Sequence, residues 1–156
     1  VDRSMPVEAI DALPTFSRLM HLRLAGCPID DERMKTLGRF SNLKFLNLPN
    51  TESTAEGIRG LRELQQLRML RLGSTSAGNE VCREIGQLHS LRQLHLIGIP
   101  ITDEGLREVA ALPHLESLYL DGASVTETGW QWLFDRHPEI HVHINQLHHE
   151  SDPKSH

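Results

Sequence analysis

Leucine recurs along this chain in a fixed frame. The hexads LMHLRL, LKFLNL, LRMLRL, LRQLHL and LESLYL begin at Leu19, Leu43, Leu67, Leu91 and Leu115, 24 residues apart each time. All fifteen positions of the L-x-x-L-x-L frame are Leu in a chain with 24 Leu in all, so chance placement is no alternative. Let the first Leu of each unit be position 1. Side chains alternate along a strand, so positions 4 and 6 face one side and positions 3 and 5 the other. Further on, positions 16, 19 and 22 are apolar (Met34, Leu37 and Phe40 in the first unit; Leu106, Val109 and Leu112 in the fourth), which is one face of a helix. Position 12 holds Asp30, Thr54, Gly78, Thr102 and Thr126, mostly residues that cap a helix start. Acids follow in the first turn, where the helix dipole favours them.

Each unit therefore reads as a short strand, a turn and a helix. One unit cannot bury its Leu face alone, so neighbours must stack. The pattern resembles the leucine-rich-repeat family over roughly residues 5–144, and ITDEGLREVAAL at 101–112 is similar to its cysteine-containing and bacterial T-D-x-G-L subtypes. The resemblance implies an α/β solenoid, a right-handed superhelix with parallel strands on the concave face and helices on the convex face. Position 9 (Cys27, Thr51, Thr75, Ile99, Ala123) keeps the usual Asn/Cys ladder only in part. Repeats two and three carry Ser53 and Ala77 where Ile or Val belongs at position 11, so looser packing is expected there.

The frame runs past both ends. Ile10, Leu13 and Phe16 fall at positions 16, 19 and 22 of an earlier unit whose strand is missing. Residues 1–18 are thus expected to form a helical partial repeat, either a cap or the point where a longer protein was divided. Five repeats fill 19–138, a capping strand with Val142 and Ile144 inward fills 139–146, and 147–156 is expected to be a polar tail. In the atypical fifth helix Trp130 is expected in the core. Trp132 should point elsewhere, into a cap or an oligomer contact.

Composition narrows the function. At 156 residues, 38% hydrophobic and 24% charged, the chain fits one ordinary globular domain. A net charge of −5 disfavours nucleic acid as a partner. No run approaches the roughly 18 apolar residues of a membrane span, and the N-terminus lacks the apolar stretch of a signal peptide. Cys27 and Cys82 form no disulfide framework and sit at core positions, so a reducing, cytoplasmic setting is expected. No catalytic motif is present, and no catalytic residue, cofactor or metal is assigned. The ten His are the unusual feature. His95, Tyr119 and His143 share position 5 of successive units, with His141 beside them. The choice is between a metal-binding or catalytic patch and solvated His on an open strand face; no known metal-ligand spacing is matched, which favours the second.

The outward strand positions are where such an array would meet a partner. Arg23, Lys44, Arg68, Arg71 and Arg92 place five of the 16 basic residues on one face of an acidic protein. Phe45 and Met69 supply apolar anchors there, and Asn47, His95, Tyr119 and His143 complete the expected contact set. The aromatic, Met and Arg residues among them are types enriched at interfaces. The expectation is a non-catalytic module binding a protein or peptide, with an acidic surface, on that face. An architectural role as an oligomer building block is the other reading, and no oligomeric state is assigned.

Overall fold

The computed structural model describes residues 18–26, 28–74, 77–145 and 147–148. The expected N-terminal helix, Cys27 and most of the tail lie outside the described residues. Six strands, β1 (His21–Arg23), β2 (Phe45–Leu48), β3 (Met69–Gly73), β4 (Gln93–Ile97), β5 (Ser117–Asp121) and β6 (His141–Ile144), lie in chain order in one parallel sheet. Their register repeats the sequence frame: Leu46 pairs Leu70, Leu70 pairs Leu94, and Leu94 pairs Leu118. Helices α1 (Asp31–Leu37), α2 (Ala55–Arg59), α3 (Asn79–Ile85), α4 (Asp103–Ala110) and α5 (Glu127–Arg136) pack side by side along the other surface.

Burial alternates along β1, β2, β4 and β5 as the period of two requires, and Leu at positions 4 and 6 is inside in repeats one to five; β3 ends on two buried residues, and in β6 Val142 is buried while Ile144 is only partly so. These Leu and the apolar helix faces form one continuous core. Helices need about 8–10 Å of spacing and strands about 4.8 Å, so equal stacking bends the array with the sheet on its inner curve.

One expectation is corrected, at the far end of the array. In repeats two and three, where looser packing is expected, Ile58, Leu61, Leu67, Leu70, Val81 and Ile85 are fully buried. Ser53 is buried too, because its hydroxyl donates to Asp31 at 2.8 Å and is not an unpaired polar group. The irregularity appears instead as a short helix, since α2 gives way after five residues to a 3-10 turn (Gly60–Glu63). At the far end, the stretch expected to be polar tail begins with β7 (Leu147–His148), which pairs antiparallel with β6 and so reverses the ladder.

The helix starts are tied across repeats by a device built on positions 12, 13 and 15. Asp31, at position 13 of repeat one, accepts from the Thr54 amide (2.7 Å), the Thr54 hydroxyl (2.8 Å) and the Gly57 amide (3.1 Å) of repeat two. Asn79 accepts from the Thr102 amide at 2.9 Å and donates to the Thr102 hydroxyl at 2.8 Å. Asp103 accepts from the Thr126 amide (2.8 Å) and hydroxyl (2.7 Å). Position 15 of each receiving repeat is Gly57, Gly105 or Gly129, and a Cβ there would collide with the incoming carboxylate or amide oxygen. Between repeats two and three the set is missing as a unit: Ala55 stands where the accepting side chain would be, Gly78 at the cap and Val81 at the third position.

Candidate functional site

The outward strand positions supply the candidate binding face, and the strand register sets its rows. Position 5 runs Arg23, Asn47, Arg71, His95, Tyr119, His143 from β1 to β6. Position 3 runs beside it: His21, Phe45, Met69, Gln93, Ser117, His141. Position 2 adds Lys44, Arg68 and Arg92 at the strand entrances.

The rows divide into two regions. Over repeats four to six the rings stack along the array. Tyr119 lies 5.4 Å from His95 and 4.3 Å from His143, the second pair being almost parallel at 4°. His141 meets His143 edge-on at 4.5 Å. His95 is held by Asp121, whose Oδ2 is 2.9 Å from Nε2. Beside this stack the face dips into a depression of about 390 Å³. Met69 and Arg71 form one wall, Tyr119, His95 and His143 the other, and Gln93 and Leu94 complete the lining. Five of the eleven expected contact residues therefore meet in one place. Gln93, Leu94 and Asp121 were not in the expected set. Gln93 was legible as a position-3 side chain, whereas the Asp121–His95 contact spans 26 residues and carries no local signal.

Over repeats one to three the face is cationic. Lys44, Arg68 and Arg71 make no ion pair among the described residues, and neither does Arg23. Arg92 differs: it pairs with Glu116 on the same face. On the helix side Arg33, Lys35, Arg59, Arg62 and Arg83 each contact a carboxylate. Arg71 Nε and Asn47 Oδ1, neighbours in the register, are both buried without a hydrogen-bond partner among the described residues. Phe45 packs on His21, with ring centroids 4.3 Å apart.

Other candidate groups carry less. Among the described residues no three His, Cys, Asp or Glu are placed to hold a metal ion. Cys82 is a free, buried thiol, and burial pushes its pKa up to about 12, so it is no nucleophile at neutral pH. Trp130 is core, as expected, while the half-buried Trp132 lies on the helix side beneath Arg107, whose guanidinium is 5.4 Å from the ring centre. No helix among the described residues is long and apolar enough to cross a membrane.

No protein-family model matches this chain, and no curated protein sequence matches it significantly. Solved structures do match. An internalin C2 from Listeria monocytogenes superposes with a TM-score of 0.69 at 21% identity, over 89% of this chain and 57% of that one. An internalin from the same organism (inlF) gives 0.64 at 21% identity, over 81% of this chain and 35% of the other. This chain thus spans little more than half of the first and about a third of the second. Likeness at this identity shows architecture, and it agrees with the parallel ladder and the Leu frame: the chain folds as an α/β leucine-rich-repeat solenoid.

Proposed function

We propose that this chain is a protein–protein interaction module, without catalytic chemistry of its own, that receives an acidic segment of a partner on its open sheet face. One observation carries the reading. Lys44, Arg68 and Arg71 gather on that face and none of them makes an ion pair among the described residues, whereas on the helix side Arg33, Lys35, Arg59, Arg62 and Arg83, though not Arg107 or Arg136, each contact a carboxylate. Unpaired charge on a rigid, half-buried surface steers an oppositely charged partner and sets its register. The sheet is held by the Leu core, so little ordering cost falls on this side of the complex. The cytoplasmic setting and a place within a longer chain belong to the same proposal.

The test is a charge reversal. Arg68→Glu with Arg71→Glu is expected to abolish capture of partner proteins from an extract while leaving the circular dichroism spectrum and unfolding midpoint close to wild type. Unchanged capture by a folded double variant would remove the acidic-partner reading.

A further inference from the structure

The face is divided in two, and the division constrains what fits it. We infer that the partner segment is an extended peptide in which an acidic run is followed, about three to four residues away, by one aromatic side chain. The acidic run lies over Lys44 and Arg68, and the ring enters the depression between Arg71 and Tyr119. This deepens the proposed function and rests on it.

The aromatic preference follows from the two walls. Arg71 supplies a guanidinium, which is attracted to the face of a ring. Opposite, Tyr119 is already stacked between His95 and His143, so the ring faces within the row are partly used and their edges are left for an edge-to-face contact. Both walls reward a π face over an aliphatic chain. The remaining lining, Met69 and the fully buried Leu94, is apolar. A volume of about 390 Å³ is at the small end of ligand pockets, right for one large side chain and too small for a folded element.

The spacing follows from the register. Lys44 and Arg68 stand at position 2 of repeats two and three, and the depression, which lies over His95 between Arg71 and Tyr119, centres near repeat four. That is about one and a half strand spacings across, roughly 7 Å, and about two to three residues along, roughly 7–10 Å. The diagonal is about 10–12 Å, which an extended peptide covers in about three to four residues.

The experiment is fluorescence anisotropy with labelled synthetic peptides on the full chain at low salt. The probe is EEEGSGW. The comparison peptides are EEEGSGA, which lacks the ring, QQQGSGW, which lacks the charge, and EEEW, which lacks the spacing. EEEGSGW is expected to bind about tenfold more tightly than each of the three. Tyr119→Ala should remove that advantage over EEEGSGA without changing EEEGSGA itself. Met69→Gln, on the opposite wall, removes apolar lining without adding charge; it should do the same and serves if Tyr119→Ala misfolds. Equal binding of EEEGSGA and EEEGSGW, or of EEEW and EEEGSGW, would overturn the anchor and leave the acidic groove standing. Failure of all three acidic peptides would count against the acidic partner itself.

Discussion

The seam between repeats two and three and the seam between repeats four and five join the same strands and helices by different chemistry. At the second, Asp103 reaches across to the start of the next helix, takes the Thr126 amide and hydroxyl, and sits where Gly129 leaves room. At the first, Ala55 has nothing to offer, Gly78 satisfies its amide from Glu80 of its own repeat, and Val81 fills the space a glycine would leave. Repeats two and three are instead tied lower down. Glu84, almost fully buried, takes Arg59 at 3.2 Å and Arg62 at 2.7 Å, while Thr51 donates its hydroxyl to the Gly73 carbonyl at 3.0 Å. The apolar side chains at both seams are buried in one core. A repeat array thus tolerates loss of one polar tie when the whole set changes together and a second tie appears elsewhere. The exchanged seam also lies beneath Lys44 and Arg68, so whatever fixes it fixes the spacing of the proposed acidic site.

The largest expected effect comes from forcing one seam to resemble the other. Gly129→Val places a branched side chain on the Asp103 carboxylate. It should cost about 2–4 kcal/mol, combining overpacking with loss of charge-assisted hydrogen bonds. Urea unfolding measures this. A loss below about 0.5 kcal/mol would mean that the carboxylate moves aside at no cost, and that the glycine is not there for it. Next comes the clamp on the other seam. Glu84→Ala should cost about 1–3 kcal/mol, as expected for hydrogen bonds to a charged group. The loss should show as faster amide exchange in α2 and α3 ahead of α4 and α5. Uniform acceleration along the array would indicate that Glu84 does not belong to one seam.

Much of this was legible in the sequence. Period-two alternation in the hexads gave the inward and outward strand faces, because burial of Leu leaves no freedom of register. Trp130 in the core followed from the 16, 19, 22 frame. The inter-repeat tie was also present in the letters and went unread. Positions 12, 13 and 15 change together at one seam only, but acids in a first turn were assigned to the dipole of their own helix. Asp31 and Asp103 do lie in that turn, yet their short hydrogen bonds run to the following repeat. The depression was not legible. It depends on which rings stack and on Asp121 holding His95 from the next strand, and neither leaves a periodic trace. β7 was missed because two residues carry too little alternation to register.

A smaller effect tests whether the tie is a unit. Ala55→Asp alone should destabilise by about 1 kcal/mol, since Val81 already occupies the site that the carboxylate needs. Val81→Gly alone should cost about 1.5–3 kcal/mol in lost burial and helix propensity. Together they allow the new carboxylate to reach the amides of repeat three. A coupling of about 1–2 kcal/mol in favour of the pair is expected from a double-mutant cycle. Simple additivity would show that the co-occurrence of these residues in the other repeats is not energetic.

The smallest effect separates the ties by pH. Burial works to raise the pKa of Asp31, but hydrogen bonds from the Thr54 amide, the Ser53 and Thr54 hydroxyls and the Gly57 amide outweigh it, so the carboxyl lies below its ordinary value. For Asp103 the Thr126 hydroxyl and amide lower it directly. A carboxyl whose pKa is lower folded than unfolded contributes stability above the unfolded value, about 3.9, and loses it as pH falls through the folded value. Asn79 makes the equivalent tie with an amide that does not titrate. Below about pH 4, then, the seams served by Asp31 and Asp103 should weaken while the seam served by Asn79 keeps its hydrogen bonds. Asp103→Asn should retain most of the neutral-pH stability, because the amide can still accept from the Thr126 backbone. It should also flatten the acid limb of the stability curve by a few tenths of a kcal/mol, a small effect because Asp103 is largely solvated. An acid limb identical in the variant and the wild type would place the titrating contribution elsewhere and leave Asp103 as a geometric acceptor only.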